Sequence, residues 1–166
     1  MARHPRWVRK FLSDDDLEAI AHAVRVAEGR TSAEVRVHLD HRCKGDALEK
    51  AVAVFERLGM HKTADRHGVL IYVAVTDRKL AVIGDQGIHE RVGEDYWRRV
   101  VAAVTDHFRN ERPRDGFLHA VGDVGGMLAR DLPRRPDDRN ELTDEVSISY
   151  RSTGSGASYT RIHVSE

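Results

Sequence analysis

The chain is poor in several things that would narrow its chemistry. Its 166 residues contain a single cysteine, Cys43, which excludes an internal disulfide framework and any zinc site built on two thiolates. A charge of one sign is missing too. Lys and Arg number 27, as do Asp and Glu, so no whole-chain field draws the protein to nucleic acid or to an anionic membrane. No apolar run approaches the roughly 18 residues of a membrane span. The basic start "MARHPRWVRKFL" has no apolar segment behind it, so it is not expected to be a secretory signal. The expectation from these absences is a soluble, cytoplasmic protein. Nucleotide fingerprints are lacking as well: no G-x-G-x-x-G follows the first strand, and there is no Walker lysine motif.

What is present suits one domain with a sizeable core, since 40% of residues are hydrophobic and 33% charged. The 10 histidines are numerous, and a surface bias accounts for them more simply than a pH sensor. In "FLSDDDLEAIAHAVRVAEG", Ser13 opens a helix with three aspartates in its first turn, and Leu17, Ile20, Ala21, Val24 and Ala27 recur at helical spacing. "AEVRVHL" then alternates as a strand. Ala33, Val35, Val37 and Leu39 form its buried face, and Glu34, Arg36 and His38 lie on the other. "GDALEKAVAVFERLG" predicts a helix with a stripe of Leu48, Ala51, Val52, Phe55 and Leu58.

"GVLIYVAV" does not alternate, so it is expected to be buried on both faces as the central strand. "TDRK" turns into the antiparallel return strand "LAVIG". Helices follow from about Gly93 and from about Asp115 to Leu132. This order predicts an α/β fold, a three-layer sandwich around a small mixed β-sheet. Three regions are expected: a basic N-terminal arm (1–12), the α/β domain (13–146) and a flexible C-terminal tail (147–166).

A candidate site follows from that topology. A hairpin sets the end of one strand beside the start of its partner, and a helical crossover makes the first strand parallel to the second. Glu34, His61, Thr63, Asp65, Arg66, Gly84, Asp85, Gly87 and His89 are thereby expected at one edge of the sheet. Clustered carboxylates suit a divalent cation, Mg²⁺ or Ca²⁺. Arg66 offers a planar fork to phosphate oxygens. Gly84 and Gly87 allow backbone N–H groups to approach an anion. The simpler alternatives are that Asp85 caps the next helix, Arg66 forms a structural ion pair, and His89 is merely solvated.

"GVLIYVA…DRKLAVIGDQGIHERVGEDYW", with "HKT" at His61–Thr63 and "DDRNEL" at Asp137–Leu142, resembles the TPM domain family over about Ser13 to Val146, in particular its soluble bacterial branch. The resemblance implies a Rossmann-like α/β/α sandwich, divalent-cation binding in some members and acid phosphatase activity in some. It carries over to Glu34, Arg66, Gly84, Asp85, Gly87 and His89. His67 stands where the family pattern has Asn. The expected activity is therefore a cation-dependent phosphatase acting on phosphomonoesters. Asp85 and Glu34 would be the metal ligands, Arg66 the phosphate holder and His89 a proton donor or supporting partner. The alternative is a non-catalytic cation-binding module that grips a protein partner.

Other sets of residues carry less. His38-x-x-His41-x-Cys43 offers only three donors for a transition metal. Asp77 and Arg78 are ordinary turn residues at the opposite edge. Trp7 with Arg3, Arg6, Arg9 and Lys10 suits a terminus that packs one ring, or docking on anionic lipid. Asp137, Asp138, Asn140 and Asp144 read as a solvated acidic loop. The arginines of the later helices form a solvated face that lacks the aromatic interleaving of a nucleic-acid platform.

Overall fold

In the computed structural model, residues 4–60, 67–134, 146–149 and 159–162 are described. A single turn of helix, α1 (Arg6–Arg9), leads into α2 (Asp14–Glu28). The entry to α2 is fixed by a capping box: the Ser13 hydroxyl accepts from the Asp16 N–H, and the Asp16 carboxylate accepts from the Ser13 N–H, each at 3.0 Å. Next come β1 (Glu34–Asp40), α3 (Ala47–Arg57), β2 (Gly68–Ala74) and β3 (Lys79–Gly84). Three helices follow, α4 (Gln86–Val92), α5 (Glu94–Arg109) and α6 (Pro113–Asp131), then β4 (Val146–Ser149) and β5 (Tyr159–Ile162). Gly93 separates α4 from α5 at φ 77°, a left-handed conformation that glycine adopts without a Cβ penalty.

The sheet order is β3-β2-β1-β4-β5, with β1 parallel to both β2 and β4 and the two outer pairs antiparallel. The expected mixed sheet and α/β sandwich are present. Two features differ from expectation. β4 and β5 lie at the end of the expected domain and within the stretch read as tail, where the sequence carries no strong apolar run. With β4 added on its far side, β1 becomes the middle strand in place of β2. Consequently β1 is buried on both faces, its Glu34, Arg36, His38 and Asp40 as well as its valines.

The two faces of the sheet carry separate cores. On one, α2, α5 and α6 cover Val35, Val37, Leu39, Val69, Ile71, Val73 and Val82, with Val8 and Leu12 from the N-terminal arm buried among them. On the other, α3 covers Leu70, Tyr72, Ala74 and Ala81. The inward stripe of α3 is Ala51, Val54, Phe55 and Leu58. Leu48 and Val52, expected inward, are 52% and 45% exposed. The helix is rolled by part of a turn so that its longest i, i+3, i+4, i+7 run faces the strands.

Candidate functional site

Gly68, the first residue of β2, organises the edge that the sequence singles out. On one side its Cα lies opposite Glu34, whose N–H donates to the His67 carbonyl at 2.9 Å. On the other side its own carbonyl accepts from the Asp85 N–H at 2.8 Å. Glu34 and Asp85 therefore flank a single residue, although fifty positions separate them in the chain. Strand alternation puts both on the α3 side: Ala81 and Ile83, four and two residues before Asp85, pack into that core, and Gly68, the partner of Glu34, faces Phe55 and Met60 there. Both carboxylates are withdrawn from solvent, with Glu34 5% and Asp85 8% exposed.

Asp85 is also the N-cap of α4, its Oδ1 accepting from the Gln86 N–H at 2.7 Å. The capping role weighed from sequence is thus present beside any other. His89, in the first turn of α4, is exposed. Its Nδ1 accepts from the Trp97 indole N–H at 3.2 Å, which directs the proton of a neutral imidazole to Nε2. Gly84 has a packing reason to be glycine: a Cβ there would lie 2.5 Å from Cζ2 of Trp97. The indole lies against the end of β3 where a side chain would otherwise stand. Gly87 is the second residue of α4.

Of the expected set, Glu34, Gly84, Asp85, Gly87 and His89 thus gather around the end of β3. His61, Thr63, Asp65 and Arg66 lie outside the described residues, as do Asp137, Asp138, Asn140 and Asp144. Among the described residues, no group of three or more His, Cys, Asp or Glu side chains is placed to hold a metal ion. That includes His38, His41 and Cys43. His38 points into the α3-side core, whereas the His41 ring stacks on Trp7 at 5.1 Å, and the Cys43 N–H donates to Asp77 Oδ2 at 2.8 Å.

Inward along β1 from Glu34 runs a polar row absent from the expected site. Arg36, His38 and Asp40 are each no more than 1% exposed. Nδ1 of His38 lies 2.7 Å from the Ser147 hydroxyl of β4, and its ring stacks on Tyr72 at 6.1 Å. The Tyr72 hydroxyl donates to Asp40 Oδ2 at 2.8 Å. Burial first, then the Arg36 and Lys50 charges, push the His38 pKa down to about 3, so the imidazole is neutral at working pH. Burial and, next, the Asp40 carboxylate push the Tyr72 phenol well above its ordinary range, so it remains a donor. Nothing in "EVRVHLD" itself signals this row as buried. Alternation separates two chemistries and says nothing of which face is covered.

The TPM domain model matches residues 8–127. The solved NMR structure of BA42 protein from the psychrophilic bacterium Bizionia argentinensis is similar, with a TM-score of 0.77 and 36% identity over 83% of this chain and 95% of that one. No curated protein matches the chain. No helix among the described residues is long and apolar enough to cross a membrane.

Proposed function

On the premise that the chain belongs to the TPM domain family, we propose that it is a divalent-cation-dependent phosphatase-like domain acting on phosphomonoesters, working at the edge where β1, β2 and β3 meet α4. The observation that carries this reading is the placing of two buried carboxylates, Glu34 and Asp85, on either side of Gly68. Carboxylate oxygens are the donors that hard cations such as Mg²⁺ and Ca²⁺ take. A further oxygen from the segment entering β2, with Asp65 the candidate, would complete the set. Arg66 would hold the phosphate. His89, whose protonated Nε2 is left available by the Trp97 contact, would deliver a proton to the leaving oxygen. When bound, the cation supplies Lewis-acid stabilisation of charge developing on the phosphoryl oxygens.

A second reading is favoured by the Asp85 cap, which needs no catalysis to explain it: the same edge binds a cation structurally and presents a surface to a protein partner. One experiment separates the two. Purified protein is assayed with a chromogenic phosphate ester at mildly acidic pH, with Mg²⁺ or Ca²⁺, with chelator, and as Asp85→Asn. Turnover that chelator and the substitution both abolish supports the phosphatase. A cation-dependent rise in Tm without turnover above the Asp85→Asn background supports the binding module. Neither turnover nor a Tm shift would sink both.

A further inference from the structure

The opposite edge of the sheet holds a cleft of about 1060 Å³, the size of a small-molecule site. It opens beyond the carboxyl ends of the parallel strands β1 and β2, at His41, Val75 and Thr76, where open α/β sheets characteristically receive ligands. Four cationic side chains line it from three parts of the chain: Arg6 and Lys10 from the N-terminal arm, Arg78 from the β2–β3 turn, and Arg109 from the end of α5. Glu111 is the sole acid among the lining residues. Among the described residues, none of the four cations makes a side-chain hydrogen bond or ion pair. The wall between them is apolar, formed by Phe11, Leu80, Phe108 and the Trp7 ring backed by His41.

The backbone adds an independent sign. Only two non-glycine residues among those described have positive φ, Arg78 at 53° and Glu111 at 57°, and both line this cleft. Left-handed backbone disfavours any residue with a Cβ and concentrates where function demands a particular side chain. The turn that carries Arg78 is held in place beside it. Asp77 accepts from the Cys43 N–H and from Arg42, and Lys79 donates to the Cys43 and Gly45 carbonyls.

We propose that this cleft is a second binding site, distinct from the Glu34–Asp85 edge, for a phosphorylated small molecule with a flat apolar body. The cations take the phosphate and the aromatic wall takes the body. A concave pocket of this size, deep enough to reach Val73 of β2, suits a discrete molecule better than a flat lipid surface.

The test uses a ligand that a phosphatase cannot hydrolyse. Calorimetric titration of the full chain with 2-naphthylmethylphosphonate is compared with methylphosphonate, which has the head alone, and 2-naphthalenemethanol, which has the ring alone. The whole molecule is expected to bind at least tenfold more tightly than either fragment. Arg78→Gly and Arg109→Ala are each expected to weaken it at least fivefold. Arg78→Gly should keep or raise the Tm, because glycine is at ease at that φ, so lost binding cannot be blamed on lost folding. Asp85→Asn should bind like the parent. The proposal is overturned if the whole molecule binds no better than methylphosphonate, if both arginine variants bind like the parent, or if Asp85→Asn abolishes binding. Association with phosphatidylglycerol vesicles but not with the phosphonate would also overturn it.

Discussion

The two faces of the central sheet are both dry, yet they are built on opposite principles. Beneath α2, α5 and α6 the strands present Val35, Val37, Leu39, Val69, Ile71, Val73 and Val82, all apolar. Beneath α3, the same strand β1 presents Glu34, Arg36, His38 and Asp40. The first face is held by area removed from water, an effect without direction that no pH change in the working range touches. The second contains groups that are costly to desolvate and tolerable only while each has its partner. Stability therefore comes mainly from the first face, and sensitivity to single polar atoms and to acid comes from the second. The two carboxylates of the candidate site, Glu34 and Asp85, lie on the second face at the Glu34 end of this polar row, whereas His89 bonds to Trp97 of the first face.

The largest expected effect tests the apolar face. Phe117 of α6 is wholly buried and its ring meets those of Phe108 and Phe11 at 5.3 and 6.1 Å. Phe117→Ala should cost about 3–5 kcal/mol, from lost transfer energy and the cavity left behind. The loss should be the same at pH 7.5 and 5.5 in denaturant titrations. A strongly pH-dependent loss would mean that the two faces are not independent. A smaller effect tests the other face with a single atom. Tyr72→Phe removes the donor to Asp40 Oδ2 and should cost about 1.5–3 kcal/mol, as expected for a hydrogen bond to a buried charged group. A cost near zero would mean that another donor replaces the phenol at Asp40 and that the α3 face does not depend on single polar atoms.

How much of this was legible beforehand follows the same division. The apolar face was readable because helix and strand periodicity write it directly: Leu17, Ile20, Val24, Val35, Val37 and Leu39 were all placed inward, and all are buried. The placing of Glu34 and Asp85 on either side of Gly68 was readable from topology, since a crossover and a hairpin leave few alternatives. The polar row was not, because its burial depends on β4. Val146–Ile148 pairs with Val37–Leu39 across more than a hundred residues, and the strand's "VSIS" is too short to signal that partner. The structural task of Gly84 was hidden too, since only the fold shows Trp97 lying over it. The opposite-edge cleft is hidden in the sequence because Asp77 and Arg78 look like ordinary turn residues, and φ at Arg78 is not written in its identity.

The smallest expected effect is also the one that separates the faces most cleanly. His38 has a folded-state pKa near 3, against 6.5 for the unfolded chain. The folded protein thus excludes a proton that the unfolded chain binds. Its contribution is fully present above about pH 6.5 and is lost as pH falls from there toward 3. Well inside that window stability should drop by about 1.4 kcal/mol per pH unit on account of this residue alone, and by about 1 kcal/mol between pH 6.5 and 5.5, where the unfolded imidazole is only part protonated. Urea titrations at pH 6.5 and 5.5 measure the drop, and His38→Asn should remove that part of it, because an amide at the same place has no proton to exclude. If parent and variant lose stability in parallel, the imidazole accepts its proton while folded. In that case Ser147 and Tyr72 would surround a site open to water, and the contrast between a sealed polar face and a sealed apolar one would fail at its centre.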